Sequence, residues 1–593
     1  MYLRHIQRKK NGKEHSYWSL VESRRLADGR VSQRHVLYLG EINDTQERAW
    51  ARAVEVFPDE SGPPQTMALF PEERLDSAAD EGLPIVRLRL KELSLHRPRQ
   101  WGACWLALYL WHALQLDQFW SERLEPSRKG TRWDLVLAVL TVYRLLTPGS
   151  EWRLHRQWFE SSALADLLGV EFGAADPHKL YGCHDQILAH KSALFSHLVE
   201  RWRDLFGAEF DVLLYDLTST YFESEPPFDE NDKRQFGYSR DKRPDCVQVV
   251  IALIVTPQGF PLTYEVLCGN TADKTTLKDF LGKIETQYGK ARRIWVMDRG
   301  IPTEDVLAEM RASDPPVQYL VGTPKGRLTK LEKALVDKPW QQARPGVTVK
   351  LLPQEAELYV LARSADRVAK ERSMRRRQIK KLWHRLHELA AMKKLRREDL
   401  LMKLGAARQQ APSAWRLVAV EVDASEATFS YRLNKDKLRQ VRRREGRYLL
   451  RSNLTETDPA VVWNYYLQLV EVEQAFRHLK GDLAVRPIFH QQQRRIEAHI
   501  FVSFLAYCLH VTLGQWLHTL APGLTTRSVL EKFAAVQMVD VHIPTNDGRT
   551  LILSRYTHPE PDLQLLLARL KLQLPAQPPP RITAATGPKG PVM

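Results

Sequence analysis

The chain has 593 residues, several times the roughly 150 usual for one domain, so a single small module is excluded. Its 87 Lys and Arg outnumber 71 Asp and Glu by 16, and a hydrophobic share of 44% excludes wholesale disorder. Such a basic balance favours a polyanionic partner, nucleic acid or an acidic membrane surface. Cys104, Cys183, Cys246, Cys268 and Cys508 lie far apart with no CxxC pair, which argues against a zinc ribbon or a disulfide framework. The N-terminal MYLRHIQRKKNGKEHSYW has no apolar run of the signal-peptide kind. The longest apolar stretch, Ile500 to Gly514, carries His510 and is too short to span a bilayer. A reducing, cytoplasmic compartment and no membrane partner are therefore expected.

In chain order, residues 1–50 read as a small basic β unit. HSYWSLVESRR and RVSQRHVLYLGEI form strands around the turn LADG, and residues 1–40 hold nine Lys/Arg against three acids. Residues 51–95, rich in Pro, Glu and Asp, read as a linker. Residues 96–208 carry apolar positions at helical spacing in Trp105–Leu116, Trp133–Leu146 and Lys191–Phe206. From 209 to 325 strand and helix signals alternate. DVLLYDLTSTYF, CVQVVIALIV, PLTYEVL, RRIWVMDRG and VQYLVGTP read as strands, with helices at Asp273–Tyr288 and IPTEDVLAEMRAS. That order predicts a mixed α/β sheet. Residues 326–452 read as an inserted subdomain, β-rich with a charged helical part; Asp366–Arg408 holds fifteen Lys/Arg against five acids. Residues 453–520 hold a long helix that starts at TETDPA, with Asp458 as cap and Pro459 at its first position, and then a second, largely buried helix from Ile496 to Leu520. Residues 521–572 form a C-terminal region, and 573–593 read as a disordered tail.

Two acids stand where apolar strands turn polar, Asp216 after Val212–Tyr215 and Asp298 after Ile294–Met297. A carboxylate there is expensive to desolvate and needs a partner, most simply a divalent cation. Capping or loop hydrogen bonding is the plainer alternative for each. If the two strands are neighbours, both acids enter one cleft. A third acid on a covering helix would complete a site for two ions suited to attack on phosphate. The best third acid is Glu473. Tyr466, Glu473 and Lys480 are seven residues apart, so they share one helical stripe, and Arg477 falls on the same face. An ordinary surface helix with a Glu-to-Arg pair gives the same spacing.

Five blocks in order, YDLTSTYFE, GYSRDKRPDCVQV, PLTYEVLCGNTADKTTL, VMDRG and YYLQLVEVEQAFRHLKGDLAVRPIFH…RIEAHI, resemble bacterial insertion-sequence DDE transposases over roughly residues 205–515. The N-terminal basic hairpin also resembles the start of such proteins. The resemblance implies an RNase H-like mixed sheet flanked by helices, interrupted by a β-rich plus helical insertion, with a helical N-terminal region. It implies Asp216, Asp298 and Glu473 as catalytic ligands of two Mg²⁺ (or Mn²⁺) ions. It also implies DNA contacts from Tyr466 and Lys480, with Arg477 and Arg299 as further candidates. The family signature places an Arg where this chain has Leu469. Glu471 lies about 200° around the helix from Glu473, so both cannot face one cleft. The activity implied is metal-dependent strand cleavage at the terminal inverted repeats followed by transfer to target DNA, by a DNA-associated homodimer whose contact could involve 521–572. A catalytically inactive, domesticated DNA-binding descendant is the rival reading, and a plain metal-dependent nuclease a third.

Thr218 and Thr220 are candidates to fix Asp216 through their hydroxyls, unless they are there for β-propensity alone. Lys370–Lys381, KERSMRRRQIKK, could lie along a DNA backbone. Trp340, Trp383 and Trp415 are candidates for stacking a flipped base, with a core role the plainer reading. His490 and His499 read as core or phosphate-contacting residues rather than a metal pair, and Arg486 and Arg495 beside them could approach DNA.

Overall fold

The computed structural model describes residues 88–583, apart from positions 228, 230, 290–292, 299–300, 324–330, 332–333, 336–337, 355, 393–395, 424–426 and 456–457. Of residues 1–87 it describes the backbone of five strands. Three of these, Tyr2–Lys10, Lys13–Arg25 and Val31–Glu41, form an antiparallel sheet, one strand more than the hairpin expected there. The LADG turn lies outside the described residues. Two compact units emerge, Glu209–Phe476 and, together, Met1–Ala208 with Arg477–Met593.

The Glu209–Phe476 unit is built on a nine-stranded mixed sheet. Its order is Gln341–Arg344, Val347–Gln354, Glu357–Ser364, Arg447–Ser452, Gln318–Thr323, Ile294–Met297, Val212–Phe222, Val247–Val255 and Pro261–Cys268. Ile294–Met297 runs parallel to both its neighbours, and every other pairing is antiparallel. VQVVIALIV is buried at all nine positions, as befits a strand covered on both faces. Leu213, Leu214, Ala252 and Leu253 are fully inaccessible. Each large apolar side chain so buried contributes roughly 1.5–3 kcal/mol.

Strands from the 326–452 stretch continue this sheet rather than stand apart from it. A partly buried ionic knot ties them in. Arg451 donates to Glu357 and, at 2.7 Å, to Glu304, while Arg311 reaches Glu357 at 2.6 Å. The helical part of the stretch has a core of its own. Helices Ala365–Ala391 and Arg397–Gln410 bury Leu382, Leu386, Leu389, Leu400 and Leu404 against the hairpin Val418–Val422/Phe429–Leu433.

Asp458 caps the next helix through the Ala460 N–H at 2.8 Å, with Pro459 first in the helix. The helix is shorter than its periodicity suggests. It stops at Leu467, and a new one runs from Leu469 to Lys480. A single residue, Gln468, with helical dihedrals of φ −64° and ψ −18°, separates the two helices between Tyr466 and Lys480.

The other unit is mainly helical, including Gly102–Ala113, Trp133–Leu146, Pro177–Ile187, Lys191–Phe206 and Gln493–Leu520. The last of these is long and apolar enough to cross a membrane, and its most apolar window is 94% buried inside the protein. Residues Ser94–Gln100, placed by sequence between linker and helices, form a strand. It pairs with Gln537–Pro544 in a four-stranded sheet. Arg99, 1% exposed, explains it: the guanidinium makes two 2.9 Å bonds to Asp540 and a 2.8 Å pair with Asp166. The expected disordered tail is anchored as far as Thr583. Arg581–Ile582 pairs with Thr550–Tyr556, and Gln577 exchanges bonds of 3.0 and 3.1 Å with the Tyr556 backbone. Backbone and side-chain hydrogen bonds hold a segment that has no apolar pattern to bury.

Candidate active site

Asp216 does not end its strand. Val212–Phe222 continues past it, paired with Val247–Val255 to the last residue. On the other side the neighbour stops early. Ile294–Met297 pairs in register from Ile294↔Val212 to Met297↔Tyr215 and then leaves the sheet. Asp298 follows Met297 as Asp216 follows Tyr215. The register therefore brings Asp298, just past the end of its strand, up beside Asp216, where the sheet opens. A short strand beside a long one makes this opening.

The third acid comes from the Leu469–Lys480 helix. Glu473 is exposed there, and its charge acts on Asp216, as does that of Asp298. Burial is the main cause that pushes the Asp216 carboxyl up to about 7; the two neighbouring acids add to it. The Leu217 N–H donates to Asp216 Oδ1 at 2.8 Å and pulls the other way, as does Arg240. Three carboxylates without nitrogen or sulfur form a donor set that fits a hard divalent cation.

Arg240 was missed in the sequence. It lies in GYSRDKRPDCVQV, one of the five blocks that carry the resemblance, to which no site residue was assigned. That segment is stapled to the sheet: Gln235 and Gln248 exchange backbone bonds of 3.0 Å, and Gln248 Nε2 donates to the carbonyls of Tyr238 at 3.1 Å and Gly269 at 2.9 Å. The Arg240 N–H reaches Ser219 Oγ at 3.3 Å. The signal available was a cation in a block that opens on Gly237, whose partner Gly269 lies in the next block. A Cβ on Gly237 would come within 2.1 Å of the Gly269 carbonyl oxygen.

Other expectations fare differently. Neither Thr218 nor Thr220 holds Asp216, and the buried Thr220 hydroxyl has no hydrogen-bond partner. Tyr215 instead reaches Thr276 at 2.6 Å, fixing the helix Asp273–Tyr288 to the sheet. Tyr466 is partly buried, its ring 5.6 Å from Tyr448 and 5.5 Å from Trp463. Arg477 and Lys480 follow Glu473 on the same helix and belong to the other compact unit. Arg299 lies outside the described residues. Arg495 is engaged with Asp185 at 2.9 and 3.1 Å. Trp415 packs on the insertion's core, whereas Trp340 and Trp383 are each 38% exposed.

The family described as transposase DDE domain matches residues 208–509, more than half of the chain, and the IS1634 family transposase N-terminal domain matches residues 3–56. The chain belongs to the insertion-sequence DDE transposases. It is thus a transposase enzyme, of a family whose catalytic domains use divalent metal ions. No curated protein matches it in sequence. A cryo-EM structure of the piggyBac transposase synaptic complex with hairpin DNA is 9% identical, over 73% of this transposase and 79% of that chain. Its TM-score of 0.34 is too low to argue from.

Proposed function

We propose that this transposase binds the terminal inverted repeats of its element, cleaves them, and joins the freed ends to target DNA, with Asp216, Asp298 and Glu473 as the catalytic acids. The observation that carries this is the abreast placement of Asp216 and Asp298 at the opening of the sheet, within the field of Glu473. The strand order around Val212–Phe222 supports an RNase H-like core: three antiparallel strands in succession, then two parallel ones on the other side.

The three acids would hold two Mg²⁺ or Mn²⁺ ions. Bound there, such ions supply Lewis-acid stabilisation of the phosphoryl oxygens and an acidified water. The chain's own contribution is placement. The short Ile294–Met297 strand leaves room beside Asp216, and the Leu217 N–H orients Oδ1. Arg240 supports the ionised form of Asp216 and is a cation suited to a DNA phosphate. Arg477 and Lys480 are further candidates for DNA phosphates, with Tyr466 and Arg299. Two copies would hold the two element ends.

A second surface suits DNA. The helix Ala365–Ala391 exposes Arg376, Arg377, Lys380 and Lys381. A groove of about 500 Å³ beside them is lined by Arg376, Lys380, Trp383, His384, Leu438 and Arg442. Cations flanking a half-exposed tryptophan fit a backbone with an unstacked base.

The test uses purified protein and DNA carrying the flanking ends of its own gene. Mg²⁺-dependent cutting at those ends by the wild type, lost in Asp298→Ala while binding persists, is the expected result. Joined products with a target plasmid then separate a transposase reaction from plain nuclease action. Equal binding without cutting by both proteins overturns the assignment of the acids.

A further inference from the structure

Outside the acidic site, the helical unit buries a second cluster of metal-ligating groups. Glu151 is 5% exposed, His184 1%, His490 7% and His499 1%. All three imidazoles converge on one oxygen, Glu151 Oε1. His184 Nε2 lies 3.2 Å from it, His490 Nε2 3.3 Å and His499 Nδ1 3.3 Å. The donor atoms of Glu151, His184 and His490 all lie within 4.8 Å of one another.

Proton counting makes this an awkward hydrogen-bond network. His499 Nε2 faces the Val485 carbonyl at 3.3 Å, and a carbonyl only accepts, so the ring proton sits on Nε2. Nδ1 is then a bare lone pair, which also suits its 3.5 Å approach to the Arg144 guanidinium. That lone pair is aimed at a carboxylate oxygen, acceptor against acceptor. The remaining two imidazoles crowd the same oxygen, which has two lone pairs. Hydrogen bonds among these groups alone do not satisfy this crowding.

A cation does. In a tetrahedral zinc site with bonds of about 2.0–2.1 Å, neighbouring ligand atoms are about 3.3–3.4 Å apart. The Oε1 to Nε2 separations of 3.2 and 3.3 Å match that edge. Imidazole with one carboxylate is a donor set for zinc and its first-row neighbours rather than for Mg²⁺. His184 Nδ1 has no hydrogen-bond partner, so Nε2 is the end of that ring with anything to bind.

We propose that Glu151, His184 and His490 bind one structural Zn²⁺, distinct from the ions of the acidic site, with His499 and Arg144 packed beside it. The ligands come from three distant segments: the turn after Ser150, the helix Pro177–Ile187, and the loop before Gln493–Leu520. The ion clips these segments together, and burial makes it structural rather than catalytic.

The test is the metal content of untagged full-length protein purified without chelator, by mass spectrometry, together with Co²⁺ absorption after exchange. About one zinc per chain is expected in the wild type and equally in Asp298→Ala, with loss in His490→Gln and Glu151→Gln. Co²⁺ in the wild type gives the intense visible bands of a tetrahedral site. Wild-type protein that takes up neither Zn²⁺ nor Co²⁺ overturns the proposal, as does loss of the zinc in Asp298→Ala. The wild-type readings stand even where a His490 variant does not fold. They also stand whether or not the acidic site cuts DNA.

Discussion

Asp216 shows how a reactive position is set residue by residue. Its carboxyl titrates near 7, well above the ordinary carboxylate range, because burial and two neighbouring acids oppose its charge. In the metal-free protein the folded state therefore holds the proton more tightly than the unfolded chain. The stability this gives is full below about pH 4, the unfolded value, and is lost as pH rises through 7. Asp216→Asn should accordingly stabilise the metal-free protein. The gain should be small at pH 5 and reach roughly 1–3 kcal/mol at pH 8, after discounting for solvent screening. Paired thermal melts at the two pH values check this, and an equal effect at both refutes it. The same substitution should abolish the stabilisation that Mg²⁺ gives the wild type. For Asp298→Ala, loss of a ligand costing several kcal/mol predicts a fall in cleavage rate of at least about a thousandfold.

Arg240 acts at the scale of an element. Its segment is held by backbone bonds between Gln235 and Gln248 and by the close approach of Gly237 to Gly269. A Cβ on Gly269 would come within 2.0 Å of the Gln248 carbonyl oxygen, a contact no side-chain rotation relieves. Gly269→Ala should displace the segment and with it Arg240. The expected outcome is slower cleavage and a lower melting temperature, while Arg240→Ala slows cleavage with little change in melting. Comparing the two variants separates the scaffold from the charge. The neighbouring strand gives a packing control: Leu253, fully buried opposite Asp216, should cost about 2–5 kcal/mol when cut to Ala.

Charge is a property of the whole molecule. With an excess of 16 positive charges, the proposed DNA binding should weaken with salt in proportion to the phosphates the protein neutralises, because each releases counterions. If the exposed face of Ala365–Ala391 lies on the backbone, Arg376→Ala and Lys380→Ala should each reduce the salt slope of binding by about one, uniformly across DNA sequences. Binding measured between low and high salt for the wild type and both variants checks this. An unchanged slope would leave the helix as a solvated face. Removal of the zinc proposed at Glu151 should lower the melting temperature of the helical unit while leaving the acidic site's metal response intact.

The sequence alone determined the parts that depend on local pattern. Short apolar runs specified the strands at Val212, Val247, Pro261 and Ile294, and Asp458-Pro459 specified a helix start. The order of the five blocks picked out the family. Tertiary structure decided what depends on neighbours distant in the chain. Asp216 proved to lie within a strand, because whether a strand ends is settled by what pairs with it. One helix became two at Gln468, which periodicity cannot register. Ser94–Gln100 became a strand because Asp540, more than four hundred residues away, supplies the partner for Arg99. Arg240 came to bear on Asp216, and Glu151 met three histidines, for the same reason. Spacing along a chain fixes which face a residue shares with its near neighbours, and only packing fixes which remote charges it must meet in a medium that screens them poorly.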